Sequence, residues 1–141
     1  MKIALIGQAA FGEKVLEALL ADGQEVVVVY MPPDAAPGRS NPFRESAEAK
    51  GIPVRQPVRM RDSDVYEDYK TLDVDLNVMA FVTDIIPNEV LEYPAQGTIQ
   101  YHPSLLPLHR GSSAMNWPII NGETETGLTI FAKAGRFGPY V

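Results

Sequence analysis

The chain of 141 residues contains two histidines and no cysteine. Proton transfer near neutral pH would therefore fall chiefly to His102 and His109. Both lie in the stretch QYHPSLLPLHRGSSAMNW, residues 100–117. His102 stands directly before Pro103 and is followed by SLLP, so local stiffness holds its backbone on both sides. An imidazole fixed in this way suits proton transfer or stabilisation of an oxyanion. The position equally suits a structural histidine that satisfies its hydrogen bonds in a partly buried turn. Residue type alone leaves both readings open. His109, beside Arg110, is expected at the surface or on the rim of a cleft. Trp117 is expected in the core, on the apolar side of the helix that follows.

Composition removes several classes of function. Without cysteine there is no disulfide scaffold, no thiol nucleophile and no cysteine-based metal site, and two histidines are too few for most zinc sites. No metal is expected. The net charge of -6 disfavours loose association with phosphate backbones or anionic membranes, so nucleic acid is not the first partner to expect. Arg55, Arg59 and Arg61 form a local basic cluster that reads as a solvated loop. No stretch approaches the roughly 18 apolar residues of a membrane span, and MKIALIGQAAFG lacks a leader's small-residue cleavage site. The expected location is the cytoplasm.

The elements that must position these histidines follow from periodicity. Residues 2–6 (KIALI) read as a buried strand ending at Gly7, and Phe11, Val15, Ala18 and Leu19 recur at helical spacing over 11–22. EVVVVY, residues 25–30, is too continuously β-branched for a sheet with one covered face, as expected of a parallel strand covered on both sides. The prolines and glycine of MPPDAAPGRSNP, residues 31–42, exclude regular structure and make that loop a candidate site wall. A short helix follows in FRESAEAKG, an edge strand in IPVRQ and a polar helix over 63–71. Then come a strand over 74–81, a short helix begun by Pro87, a strand over 97–102, a helix over 112–121 and a strand over 126–131. Strands alternating with helices predict a three-layer α/β, Rossmann-like domain with a mostly parallel sheet. Ligands of such sheets bind at the carboxyl ends of the strands, near the point where strand order reverses. Gly7, Phe81 and His102 stand at three such ends.

GQAAFG, residues 7–12, has neither the G-x-G-x-x-G spacing of a dinucleotide fold nor the Lys-Ser/Thr of a P-loop. Its glycines equally well serve only the turn into the helix. The helix N-terminus behind it would favour an anionic group.

HPSLLPLHRG resembles the signature of the folate-dependent formyltransferase superfamily. MKIALIGQAAFG, PVRQP, LNVMAFVTDIIPNEVL, YHPSLLPLHRGSSAMNW and NGETETGLTIF extend that resemblance, in order and spacing, over residues 1–131. Together they look most like the N-terminal hydrolase domain of 10-formyltetrahydrofolate dehydrogenases, with methionyl-tRNA formyltransferases next. The resemblance implies 10-formyltetrahydrofolate as formyl donor and a catalytic role for His102, which would stabilise the tetrahedral oxyanion and shuttle protons to N10 of the departing folate. It implies that Met79, Phe81, Val82, Ile85 and Ile86 enclose the pterin, while His109 or Arg110 meets the carboxylates of the folate tail. Amine formyltransferases place asparagine two residues before the histidine; here Gln100 stands there, as an assisting amide with a longer reach, which favours the dehydrogenase-like branch.

A second departure is larger. The family's aspartate, which positions the nucleophile and sets the protonation of the histidine, falls on Gly138 in the closing AKAGRFGPYV. Loss of an orienting carboxylate from a coupled catalytic set can cost on the order of 10⁴ in rate. The chain is thus expected to comprise a formyltransferase N-terminal domain at 1–131 and an atypical tail at 132–141, and to be truncated relative to the family. The expected function is formyl transfer to an amine, or hydrolysis to formate and tetrahydrofolate, impaired by the missing aspartate. A non-catalytic folate-binding or vestigial domain is the alternative. A Rossmann-like nucleotide-binding module is a third reading, and a tRNA acceptor is only a runner-up.

Overall fold

The computed structural model describes residues 1–36, 38 and 40–133. The elements run β1 (Lys2–Gly7), α1 (Ala9–Ala21), β2 (Glu25–Tyr30), α2 (Pro42–Ala49), β3 (Val54–Arg55), α3 (Ser63–Tyr69), β4 (Leu76–Ala80), α4 (Asn88–Glu92), β5 (Thr98–His102), α5 (Asn116–Ile120) and β6 (Thr129–Lys133). The strands form one sheet in the order β3-β2-β1-β4-β5-β6. Among the described residues only β6, on the edge beside β5, is antiparallel.

Strand alternation sends successive side chains to opposite faces, and the continuous apolar runs supply both. Ala4, Ile6, Val28, Tyr30 and Met79 pack with Val65 and Tyr69 of α3 and Val90 and Leu91 of α4. Ile3, Leu5, Val29, Val78 and Ala80 pack with Leu16 of α1 and Phe43 and Ala47 of α2. The result is a three-layer α/β domain. The register slips between Ile3 and Ala4, which pair with Val26 and Val28, so Val27 is the extra residue of a bulge. Uniform β-branched sequence carries no mark of such a slip.

Two close approaches need glycine. A Cβ at Gly7 would lie 2.6 Å from the Ala80 carbonyl oxygen, and one at Gly12 would lie 2.6 Å from the Phe43 ring. The first keeps the ends of β1 and β4 together. The second lets α1 and α2 touch. A buried polar cluster ties the sheet to one helical layer: Asn77 accepts from the Tyr69 hydroxyl at 2.8 Å and donates to the Val90 carbonyl at 2.8 Å and to Thr98 Oγ1 at 3.1 Å. Thr98 in turn donates to the Leu91 carbonyl at 2.7 Å.

Some expectations are corrected. The buried face of α1 is centred on Gly12 and Leu16, leaving Ala18 exposed and Phe11 at 37% exposure. Helix α3 is not polar throughout, since Val65 and Tyr69 are buried. Helix α5 is only five residues long, and Trp117 is 49% exposed rather than in the core. So short a helix has one side to bury, and Pro118 occupies it, with Ala114 buried in the turn just before.

Candidate active site

Strands β2 and β3 lie to one side of β1, and β4, β5 and β6 to the other. The order therefore reverses between β1 and β4, and this is where an open α/β sheet leaves a crevice at its carboxyl ends. A cavity of about 270 Å³ occupies that position. Its walls come from four strand ends: Gly7 and Gln8 after β1, Tyr30 and Met31 at β2, Pro57 and Met60 after β3, and the loop 81–86 after β4. Phe81, the first residue of that loop, has φ 59°, and Ala9, beside Gln8, has φ 56°. Both are non-glycine residues held in the left-handed region, a conformation that the surrounding structure must enforce and that concentrates at functional sites. Asp84 fastens the loop across the cavity, accepting from the Met60 main-chain N–H at 2.7 Å and from the Ile85 N–H at 2.7 Å.

The segment 31–42 borders the cavity through Met31 and Pro32. Asp34 ties it to its neighbours. Its carboxylate accepts from Asn41 at 2.8 Å and Gln56 at 3.2 Å and pairs with Arg44. These contacts, the Asn41 hydrogen bond foremost, hold the Asp34 carboxyl below its ordinary pKa. Burial pushes the Tyr30 phenol up, so the ring enters the cavity wall as a neutral group.

The histidine end is built differently. Along β5, Thr98, Gln100 and His102 share one face by alternation, and Tyr101 on the other packs against Phe11 of α1 with ring centroids 4.3 Å apart. Gln100 pairs in register with Met79 of β4, and His102 with Thr129 of β6. Beyond His102 the loop is stitched to itself and to β6. Ser104 is buried and donates to the Leu108 carbonyl at 2.7 Å. Thr129 Oγ1 donates to the Ser104 carbonyl at 2.8 Å and accepts from the Leu106 N–H at 3.1 Å. The Leu106–Pro107 peptide is cis.

His102 Nε2 lies 3.1 Å from the His109 carbonyl oxygen. A carbonyl can only accept, so Nε2 carries the hydrogen, and in the neutral ring Nδ1 carries the lone pair. The His109 ring meets the Glu123 carboxylate at 2.8 and 2.9 Å, and Asn121 donates to the same carboxylate at 3.2 Å. The His109 hydrogen bond, ahead of the one from Asn121, holds the Glu123 carboxyl below its ordinary pKa. His109 is less exposed than expected, because its ring is turned onto Glu123, with a side-chain exposure of 14%.

Residues 1–136 match the family described as formyl transferase. The chain belongs to the formyl transferase family. It is 46% identical over 136 residues to a cytosolic 10-formyltetrahydrofolate dehydrogenase of Xenopus tropicalis, a match covering 93% of this chain and 15% of that protein. It is 42% identical over 134 residues to a methionyl-tRNA formyltransferase of Alkaliphilus oremlandii, covering 92% of this chain and 43% of that one. The chain therefore spans less than half the length of either relative. Its fold is that of a phosphoribosylglycinamide formyltransferase from Anaplasma phagocytophilum, with a TM-score of 0.78 at 20% identity over 98% of this chain and 67% of the other. A formyltetrahydrofolate deformylase from Pseudomonas syringae gives a TM-score of 0.74 at 17% identity over 97% of this chain and 47% of the other.

Within this formyl transferase chain, Phe81, Val82 and Ile86 line the cavity. Met79 belongs to the core with 4% exposure, and Ile85 is 69% exposed. Gln100 and His102 lie together on β5, outside the cavity lining, and Arg110 is exposed in the loop beyond. Gly138 and the tail from residue 134 onward lie outside the described residues. Sequence reasoning anticipated the wall at Met31 and Pro32 but missed Asp84, Glu123, Tyr30 and the residues after β3 that line the cavity. Asp84 lies within MAFVTDII, residues 79–86, and was the most accessible of these, as the one carboxylate of a largely apolar lip. Among the described residues no group of three or more potential metal ligands comes together, and no helix is long and apolar enough to cross a membrane.

Proposed function

We propose that this chain binds 10-formyltetrahydrofolate and passes its formyl group to an amine or to water, with His102 as the central catalytic residue and Gln100 assisting. The observation that carries this reading is the arrangement at the end of β5: His102 with Nε2 fixed on a main-chain carbonyl, and Gln100 on the same face of the same strand. The nucleophile forms a bond to the formyl carbon while the carbonyl π electrons move to oxygen. The resulting oxyanion accepts hydrogen bonds from protonated His102 and from the Gln100 amide. Collapse restores the carbonyl and breaks the bond to N10, and the proton lost by the nucleophile reaches N10 through His102 Nδ1. The apolar lip at Phe81, Val82 and Ile86 suits a flat heteroaromatic ring, with Met79 behind it and Ile85 closing from the solvent side. Arg110, with His109 beside it, is placed in this reading to meet the carboxylates of the folate tail.

The working unit in this reading is the domain at residues 1–131, acting in the cytoplasm, with 132–141 as an atypical tail whose first two residues complete β6. Glycine at position 138 favours a second reading, in which the chain retains folate binding but turns over slowly or not at all. Water or a small amine is preferred as acceptor over tRNA, because the net charge of -6 opposes a polyanion. Release of tetrahydrofolate from 10-formyltetrahydrofolate, measured for the wild type, His102→Ala and Gly138→Asp beside a folate-binding titration, tests both. Turnover abolished by His102→Ala supports the enzyme. Binding without turnover, rescued by Gly138→Asp, supports the impaired form, and absence of folate binding overturns both.

A further inference from the structure

Glu123 has no part in the reading just described and His109 enters it only at the folate tail, yet their geometry leads directly to His102. His109 has φ 50°, a left-handed conformation that costs a non-glycine residue free energy unless something enforces it. Two contacts act on this residue. Its ring is held by both oxygens of Glu123, at 2.8 and 2.9 Å. Its carbonyl oxygen takes the hydrogen of His102 Nε2 at 3.1 Å. Glu123 lies directly after Gly122, which has φ 69°, in the turn that follows α5, and its carboxylate is further steadied by Asn121.

We infer that Glu123 and His109 form a positioning pair for His102: the carboxylate anchors the His109 ring, the anchored residue aims its carbonyl at Nε2, and the carbonyl fixes His102 in the Nε2-protonated tautomer with Nδ1 turned to the reacting atoms. The link resembles in its logic a carboxylate–histidine pair, but a main-chain carbonyl stands between the orienting carboxylate and the catalytic ring. A carbonyl sets tautomer and orientation without placing a formal charge beside the imidazole. The lowered pKa of Glu123 keeps its carboxylate ionised through the neutral range. The inference rests on the reading of His102 as the catalytic residue, but the state of its ring can be measured whether or not the chain turns over.

The test is long-range ¹H–¹⁵N NMR of the histidine rings at about pH 8, where free imidazole is neutral, on the 141-residue wild type and on Glu123→Gln and Glu123→Asp. The wild-type His102 should be in the Nε2-protonated form, Glu123→Gln should convert it to a mixture of tautomers, and Glu123→Asp should restore it in large part. Where turnover is measurable, Glu123→Gln should lower kcat by about 10- to 100-fold with KM little changed, as expected for misplaced rather than missing chemistry. Should Glu123→Gln fail to fold, His109→Asn, which tolerates the left-handed backbone but lacks the ring, should shift the tautomer in the same direction. A His102 tautomer unchanged in the folded variants overturns the inference. A shifted tautomer in a chain without turnover sustains the pair and counts against the catalytic reading instead.

Discussion

The two strand ends that flank β4 are built on opposite plans. Between β1 and β4 the chain leaves space, walled mostly by apolar side chains from four strands and by a loop whose first residue is held left-handed. Where β5 runs out beside β6 it knits the turn together, Ser104, Thr129 and His109 donating hydrogen bonds and Glu123 accepting one. A flat organic ligand needs area and a few edge partners. A proton-transfer group needs a fixed tautomer and a fixed direction. In the proposed reading the first end binds and the second does the chemistry, which predicts that substitutions will separate affinity from rate.

The largest expected effect lies at the chemical end. His102→Ala should lower turnover by about 10²- to 10⁴-fold while the dissociation constant for 10-formyltetrahydrofolate, read by titration, changes little. Next comes the buried cluster beneath both ends. Asn77→Leu leaves the Tyr69 hydroxyl and the Val90 carbonyl without their partner and should cost about 3 kcal/mol, measured by urea unfolding. Gly7→Ala drives a methyl group into the Ala80 main chain and should cost about 1–3 kcal/mol, with the loss of affinity exceeding the loss of rate because the cavity lies at that seam. Val82→Ala removes apolar wall and should weaken folate binding by about fivefold, the equivalent of roughly 1 kcal/mol, leaving kcat in place.

The smallest effect is a dependence on pH. The Glu123 carboxyl titrates below its ordinary value of 4.5, so its contribution to stability is complete above that value and disappears as pH falls through the lowered folded-state pKa. The difference in urea midpoint between wild type and Glu123→Gln should therefore be present at pH 6 and narrow as the medium is taken below 4.5 and through the lowered folded-state value.

Much of this was legible in the sequence, and what was not has a physical reason. The β-branched run at 25–30 announced a strand covered on both faces, and glycine and proline marked the breaks around it. His102 could be placed at a strand end because the apolar run of β5 gives way there to proline. The loop 31–42 was legible as a wall, but the contributions of Tyr30 and Met60 were hidden because strand order, which brings β2 and β3 to that side, is a property of the whole sheet. The left-handed conformations of Ala9, Phe81 and His109 could not be read from the sequence, since none of the three is the glycine that usually marks such a position. Glu123 lies 14 residues beyond His109, and only the return of the chain through α5 joins them. Trp117 misled because an aromatic flanked by apolar residues reads as core even when the helix is too short to bury two sides.

The division between a binding end and a chemical end is tested most directly by one paired measurement on His102→Ala: the dissociation constant for 10-formyltetrahydrofolate and the rate of tetrahydrofolate release in the same sample. The account predicts wild-type affinity with release reduced to background. Release at the wild-type rate, or loss of affinity and rate together, would contradict it.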